Sequence, residues 1–283
     1  MIEAAIDDEI WKSGEPCEES SRDAVALNSV SLRYGNGKAA GSPTDVLGSV
    51  QLHIREGEFV CILGPSGCGK TSLLKLVAGY EKPTEGEVKL YDQPHPGPNP
   101  KVGVVFQHAN LFPWLSVNRN VQFGLKMLGL KRAERSHIAA ETLNQVGLSA
   151  AASLLPHQLS GGMKQRAAIA RALAANPALL LMDEPFAALD AITRESLQYL
   201  LRKLWLETGK TIVFITHDVE EALLLGSRLI VMKGGPGRIE IDMPNRLNRA
   251  SEPFAFARQH LRYGETREQL LKALRPAGQS WQD

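Results

Sequence analysis

An apolar strand that runs straight into a glycine-rich loop fixes most of what this chain can become. Phe59 to Leu63 (FVCIL) is continuously apolar, as expected of a parallel strand buried on both faces. The residues that follow, Gly64, Pro65, Ser66, Gly67, Cys68, Gly69, Lys70 and Thr71, fit the pattern G-x-x-x-x-G-K-[ST] in full. Ser72 then opens SLLKLVAGY, a helical stretch ended by Gly79 and Pro83. Strand, loop and helix in that order make a phosphate cradle. The glycines let backbone N–H groups curl round an anion, and the positive end of the helix points at it. Lys70 is then placed for the β- and γ-phosphates, and Thr71 for Mg²⁺.

The rest of the chain alternates in the same style. Strands are expected at about Val25 to Tyr34 and Val46 to Ile54, then in GEVKLYD, KVGVVFQ, ALLLMDE, TIVFITH and RLIVMK. From Leu111 to about Ala175 the pattern is helical: NRNVQFGLKML, ERSHIAAETLNQVG and GGMKQRAAIARALAA. It reads as a helical insertion within an α/β core. Helices are also expected in ITRESLQYLLRKLWLETG, DVEEALLLG and REQLLKAL. Alternating strands and helices imply a mainly parallel sheet with right-handed crossovers. Ligands bind such sheets at the carboxyl ends of the strands. Gly64, Gln107, Asp183, Glu184 and His217 each close or follow an apolar strand run, so separate stretches converge on one sheet edge.

Each has a chemistry there. Asp183 would hold Mg²⁺ through a water, and Glu184 would act as general base on the attacking water. His217 would hydrogen-bond the γ-phosphate and hold that water in line. Gln107 can offer its amide oxygen to Mg²⁺ or the water, or satisfy loop backbone. Leu159-Ser160-Gly161-Gly162-Met163 stands at the start of a helix, where a hydroxyl and two unhindered amides form a second anion site. One chain needs only one γ-phosphate cradle. The second makes sense if it closes over a nucleotide held by another copy. HANLFPWLSV after Gln107 places apolar residues, Trp114 among them, in a loop that is either core or a docking patch.

Bulk properties exclude other classes. A length of 283 residues suits one large α/β domain or two small ones, and a net charge of +1 gives no electrostatic case for nucleic acid. Cys17, Cys61 and Cys68 show no metal or redox spacing, and the odd count suggests a reducing compartment. The acidic start, MIEAAIDDEIWKSGEPCEES, has neither the basic end nor the apolar core of a signal peptide. No apolar run approaches the roughly 20 residues that span a bilayer, so a membrane role must run through a partner.

Taken together, these motifs resemble the ATPase subunit of an ABC transporter, over roughly residues 25–238. GPSGCGKTSLLKLVAGYEKPTEG, VFQHANLFPWLSVNRNVQFGL, DEPFAALDAITRESLQYLLRKLWLETGKT and GPGRI look like the nitrate/sulfonate/taurine importer group. The resemblance implies a P-loop NTPase fold: a RecA-like parallel core, an N-terminal antiparallel β subdomain and an inserted helical subdomain. It implies an acidic tail at 1–24, an ATPase domain at 25–240 with the helical subdomain at about 111–164, and an extension at 241–283. It implies ATP and Mg²⁺, and a head-to-tail homodimer with each ATP between one P-loop and the other copy's Ser160–Gly162. Two permease subunits and a periplasmic or lipid-anchored solute-binding protein would complete a complex at the cytoplasmic face of the bacterial inner membrane. Catalysis falls to Glu184, His217 and Lys70. Metal binding falls to Thr71, Gln107 and Asp183. Tyr34 lies where the family stacks adenine, Ser72 joins the nucleotide-binding set, and Ala188-Leu189-Asp190 is the loop between the two sites. Met163 departs from the family's usual glutamine. A soluble ABC-type ATPase uncoupled from transport is the alternative, and a small-molecule kinase would need neither the Ser160 turn nor His217.

Overall fold

The computed structural model describes residues 22–35, 44–245, 247 and 262–275. The chain builds two sheets. The smaller is antiparallel, in the order β2-β1-β4-β5, from β1 (Asp23–Tyr34), β2 (Thr44–Arg55), β4 (Glu85–Leu90) and the short β5 (Gln93–Pro94). The larger runs β10-β9-β3-β8-β7-β6, from β3 (Phe59–Leu63), β6 (Val102–Val105), β7 (Leu179–Asp183), β8 (Thr211–Ile215), β9 (Arg228–Lys233) and β10 (Arg238–Pro244). All its neighbours pair in parallel except β9 and β10.

β3, β7 and β8 are buried at every residue, which explains their unbroken apolar sequence. Their side chains still alternate. Phe59, Cys61, Leu63, Leu180, Met182 and Phe214 enter one core, while Val60, Ile62, Leu179, Leu181, Val213 and Ile215 enter another. The second core is closed by α1 (Lys70–Val77) and the antiparallel sheet. The first is closed by α2 (Val117–Met127), α3 (Arg132–Gln145), α4 (Gly161–Ala174), α5 (Ala191–Thr208) and α6 (Val219–Leu225). The helices α2 to α4 stand between β6 and β7, where the sequence reads as an insertion.

Two expectations are corrected. Asp23 and Ala24 belong to β1 rather than to the acidic tail, whose residues 1–21 lie outside the described residues. Arg238–Pro244 forms an antiparallel edge strand that the motif reading passed over. Beyond it, α7 (Tyr263–Leu274) packs on the core through the buried Leu270 and Ala273, and the Tyr263 hydroxyl donates to Glu220 on α6.

Candidate functional site

The phosphate loop takes its shape from glycines that no other residue could replace. Gly67 and Gly69 have φ of 82° and 94°, in the left-handed region. A Cβ on Gly64 would lie 2.5 Å from the Met232 carbonyl oxygen. Pro65, Ser66, Gly67 and Thr71 are exposed along the loop crest, and Ser72 is partly exposed just inside α1. Lys70 is buried, and its Nζ donates to the carbonyls of Gly64 at 2.7 Å and Pro65 at 3.0 Å. Cys68 points inward, and burial pushes its thiol up despite nearby Lys70. Both described cysteines, Cys61 and Cys68, are unpaired.

Gly237 backs this loop from behind. Its N–H donates to Val46 and its carbonyl accepts from Gly48, and a Cβ there would lie 2.0 Å from the Cys68 carbonyl oxygen. The GPGRI stretch thus presses the β9–β10 connection against the cradle, a role that its sequence alone does not disclose.

The remaining strand ends arrive as expected. Asp183 ends β7 and is buried; desolvation raises its carboxyl above the usual range, opposed by a hydrogen bond with Thr71. Glu184 follows with φ of 44°, a strained angle for a non-glycine, held by its N–H donating to the Ile215 carbonyl at 2.9 Å. That bond ties the ends of β7 and β8 together. His217 stands two residues past β8, and its Nδ1 lies 3.2 Å from Glu184 Oε2. The imidazole is exposed while the carboxylate is mostly covered. A cavity of about 30 Å³ adjoins them, lined by Glu184, Arg194, Thr216, His217, Asp218 and Glu221.

Gln107 is exposed two residues past β6. Its strand end is fastened to α4 by Gln165, whose Nε2 donates to the Phe106 carbonyl at 3.2 Å. The loop beyond is held by side chains that the sequence reading did not single out. Asn120, fully buried, accepts from Phe112 N–H and donates to the carbonyls of Phe112, Leu115 and Ser116. Arg171 donates to the carbonyls of Ala109 and Asn110. This frame leaves Trp114 71% exposed beside Phe112, with Met127 and Leu128 also exposed on the same insertion. Within this stretch Trp114 is surface, while Val117 is buried in the core and Leu111 packs against it.

Ser160 caps α4 by accepting the Met163 N–H at 3.3 Å, and Gly161 is exposed at the first turn. The Met163 side chain packs against the core. Asp190 caps α5 by accepting the Thr193 N–H at 3.0 Å, which holds its carboxyl below the ordinary range. Among the described residues, no hydrogen bond links Ser160, Gly161 or Gly162 to the Gly64–Thr71 loop. Within one chain the two candidate anion sites are thus not bonded to each other. Tyr34 is 42% exposed and its hydroxyl donates to Glu81, which also pairs with Lys75 on α1. The stretch after Tyr34, GNGKAAGSPT, lies mostly outside the described residues.

Thr71 and Asp183 are brought together by their hydrogen bond and are oxygen donors of the kind a hard cation takes. Among the described residues no group of three or more His, Cys, Asp and Glu side chains is placed to hold a metal ion. No described helix is long and apolar enough to cross a membrane.

Fold and site together define a P-loop ATPase. Residues 47–187 match the family model described as ABC transporter. A putative ATP-binding protein of Brucella abortus is 46% identical over 244 residues, covering 84% of this chain and 91% of that protein. The taurine import ATP-binding protein TauB of Ruegeria pomeroyi is 44% identical over 252 residues, covering 88% and 93%. The dimeric post-hydrolysis ATP-binding cassette MJ0796, bound to ADP and Pi, matches with a TM-score of 0.70 at 40% identity, covering 78% of this chain and 99% of that one. The chain belongs to the ABC transporter ATP-binding family. It binds ATP, and its reaction is ATP hydrolysis coupled to transport.

Proposed function

We propose that this chain is the ATPase subunit of an importer for taurine-type sulfonates, working as a homodimer with two permease subunits and a solute-binding protein. The relatives named for taurine import support the solute class. The dimeric form of the related cassette supports the homodimer. Exposed Trp114 beside Phe112 supports a permease contact, and with it a place at the cytoplasmic face of the inner membrane. The helical unit at about 111–164 is the part that receives the permease, and the 241–283 extension, through α7, braces α6.

The observation that carries this reading is that, among the described residues, the two anion sites of one chain are not bonded to each other. Gly64 to Ser72 hold one ATP, with Lys70 on its β- and γ-phosphates and Tyr34 against the adenine. Ser160, Gly161 and Gly162 meet the phosphate bound by the other copy, and Asp190 lies at the junction. Thr71, Asp183 and Gln107 would hold Mg²⁺, which neutralises charge on the phosphates when bound. Glu184 accepts the proton of the attacking water, a role worth ~10²–10⁴ in rate. His217, bonded to Glu184 through Nδ1, keeps its other nitrogen for the γ-phosphate.

Glu184→Gln tests this. The variant should bind ATP, accumulate as a closed dimer by light scattering, and release phosphate at least about a hundredfold more slowly. Near-normal turnover would remove Glu184 from its role. ATP binding without dimer formation would overturn the shared-site reading. For the solute, uptake of radiolabelled taurine by vesicles carrying the complete transporter should require ATP inside.

A further inference from the structure

Behind Glu184 and His217 lies a set of charges that no step of hydrolysis uses. Its hub is Arg194, in the first turn of α5. Arg194 Nη2 donates to the Leu189 carbonyl at 3.1 Å. Nη1 lies 3.8 Å from Asp218 Oδ2, and Nε lies 3.7 Å from Glu221 Oε1. Nε is buried with no acceptor within hydrogen-bond distance. Glu221 is only 5% exposed, and its other oxygen accepts from the Thr216 hydroxyl at 2.6 Å. The Thr216 hydroxyl in turn accepts the Asp218 N–H at 3.0 Å, and Asp218 caps α6 through the N–H groups of Glu220 and Glu221.

Thr216 and Asp218 flank His217. The backbone on both sides of the histidine is therefore held by groups that face Arg194. At the other end of the guanidinium stands the Leu189–Asp190 turn, whose Asp190 carbonyl also accepts the Arg194 N–H. Thr193, one residue before Arg194, fills the space over Gly162 of the second anion site. One side chain thus spans the turn next to the partner's nucleotide and the turn that carries His217.

We infer that Arg194 is a positioning residue that passes movement of the Leu189–Asp190 turn to His217, with Glu221 as its buried counter-charge. Separations of 3.7 and 3.8 Å are ion-pair contacts but too long for hydrogen bonds. The small cavity that Arg194 and Glu221 line leaves room for a shift of under an ångström that brings Nε onto Glu221 when the turn is pushed inward. The same shift draws on Thr216 and Asp218, which flank the histidine already bonded to Glu184, and so moves the His217 ring relative to the γ-phosphate position. A planar guanidinium can bond the Leu189 carbonyl while facing Asp218 and Glu221 at the start of α6, which a lysine ammonium cannot do in one geometry. In this way closure of the dimer reaches the catalytic pair of the same chain.

The inference rests on the reading of Glu184 and His217 given above, and the test separates the two. Arg194→Ala and Glu221→Gln are each expected to lower kcat roughly tenfold to a hundredfold, with KM for ATP unchanged. Arg194→Lys should stay close to the alanine variant. The decisive comparison is a double-mutant cycle in a single-turnover radiolabel assay sensitive enough to follow His217→Ala. In that background Arg194→Ala should add little further loss. Losses that multiply, a change confined to KM, or full activity with lysine would overturn the coupling. A damaged His217→Ala beside an intact Arg194→Ala would sink only the coupling. Wild-type turnover by His217→Ala would sink the site reading and the coupling with it. Glu221→Gln keeps an acceptor for Thr216, so it serves should Arg194→Ala fail to fold.

Discussion

A methyl group on Gly162 would sit 2.2 Å from Thr193 Cγ2. Sequence reading picks this glycine for its bare amide at a helix start. The structure adds that α4 and α5 touch there with no room for a side chain. Gly162→Ala should therefore cost about 1–3 kcal/mol through overpacking, read as a lower midpoint in urea. The remaining Thr193 atoms stand 3.5 Å from the same point, so Thr193→Ser should restore most of the loss. A midpoint unmoved by Gly162→Ala would show that the helices separate freely. Contacts of this kind are invisible in a sequence, because the two partners lie on different helices. The motif residues are legible for the opposite reason. Lys70, Asp183, Glu184 and His217 each sit at a fixed offset from an apolar strand, and that local pattern is enough to place them.

At the scale of elements, the strands that run continuously apolar are the easiest to read, because burial on both faces leaves no other composition. β10 (RIEIDMP) alternates polar and apolar residues, exposed and half-buried in turn, so its period-2 strand signal is legible in the sequence and is overshadowed only by the GPGRI motif it overlaps. The loop between β6 and α2 is readable as a loop, but not as a rigid one. Its rigidity comes from Asn120, which sits in α2 and looks like any polar helix residue. Asn120→Ala would leave the Phe112 N–H and the Leu115 carbonyl without that partner, while the Phe112 and Ser116 carbonyls keep the backbone N–H groups of Leu115 and residue 120. We expect a loss of about 2–3 kcal/mol and faster amide hydrogen exchange across 112–116. If exchange there matches the wild type, another group fixes Trp114.

Across the whole molecule, the two sheets share an apolar core and are tied by polar groups as well, Arg228 among them. From β9 it donates to Asp242 on β10 at 2.7 Å through both Nε and Nη2, to the His53 carbonyl on β2 at 2.7 Å, and to Glu58 at 3.0 Å. Its pKa is raised by these carboxylates, Asp242 first. One residue thus holds both sheets and the edge strand. Arg228→Ala should lower the unfolding free energy by about 2–3 kcal/mol. Arg228→Lys should recover less than half, since one ammonium cannot reach all three elements. Equal stability of the wild type and the alanine variant would show that core packing alone unites the sheets.

The Lys70 ammonium already rests on the Gly64 and Pro65 carbonyls. Incoming triphosphate must pull it off those oxygens, so docking is a swap of acceptors rather than the capture of a lonely charge. The net pull is the difference between two good partnerships.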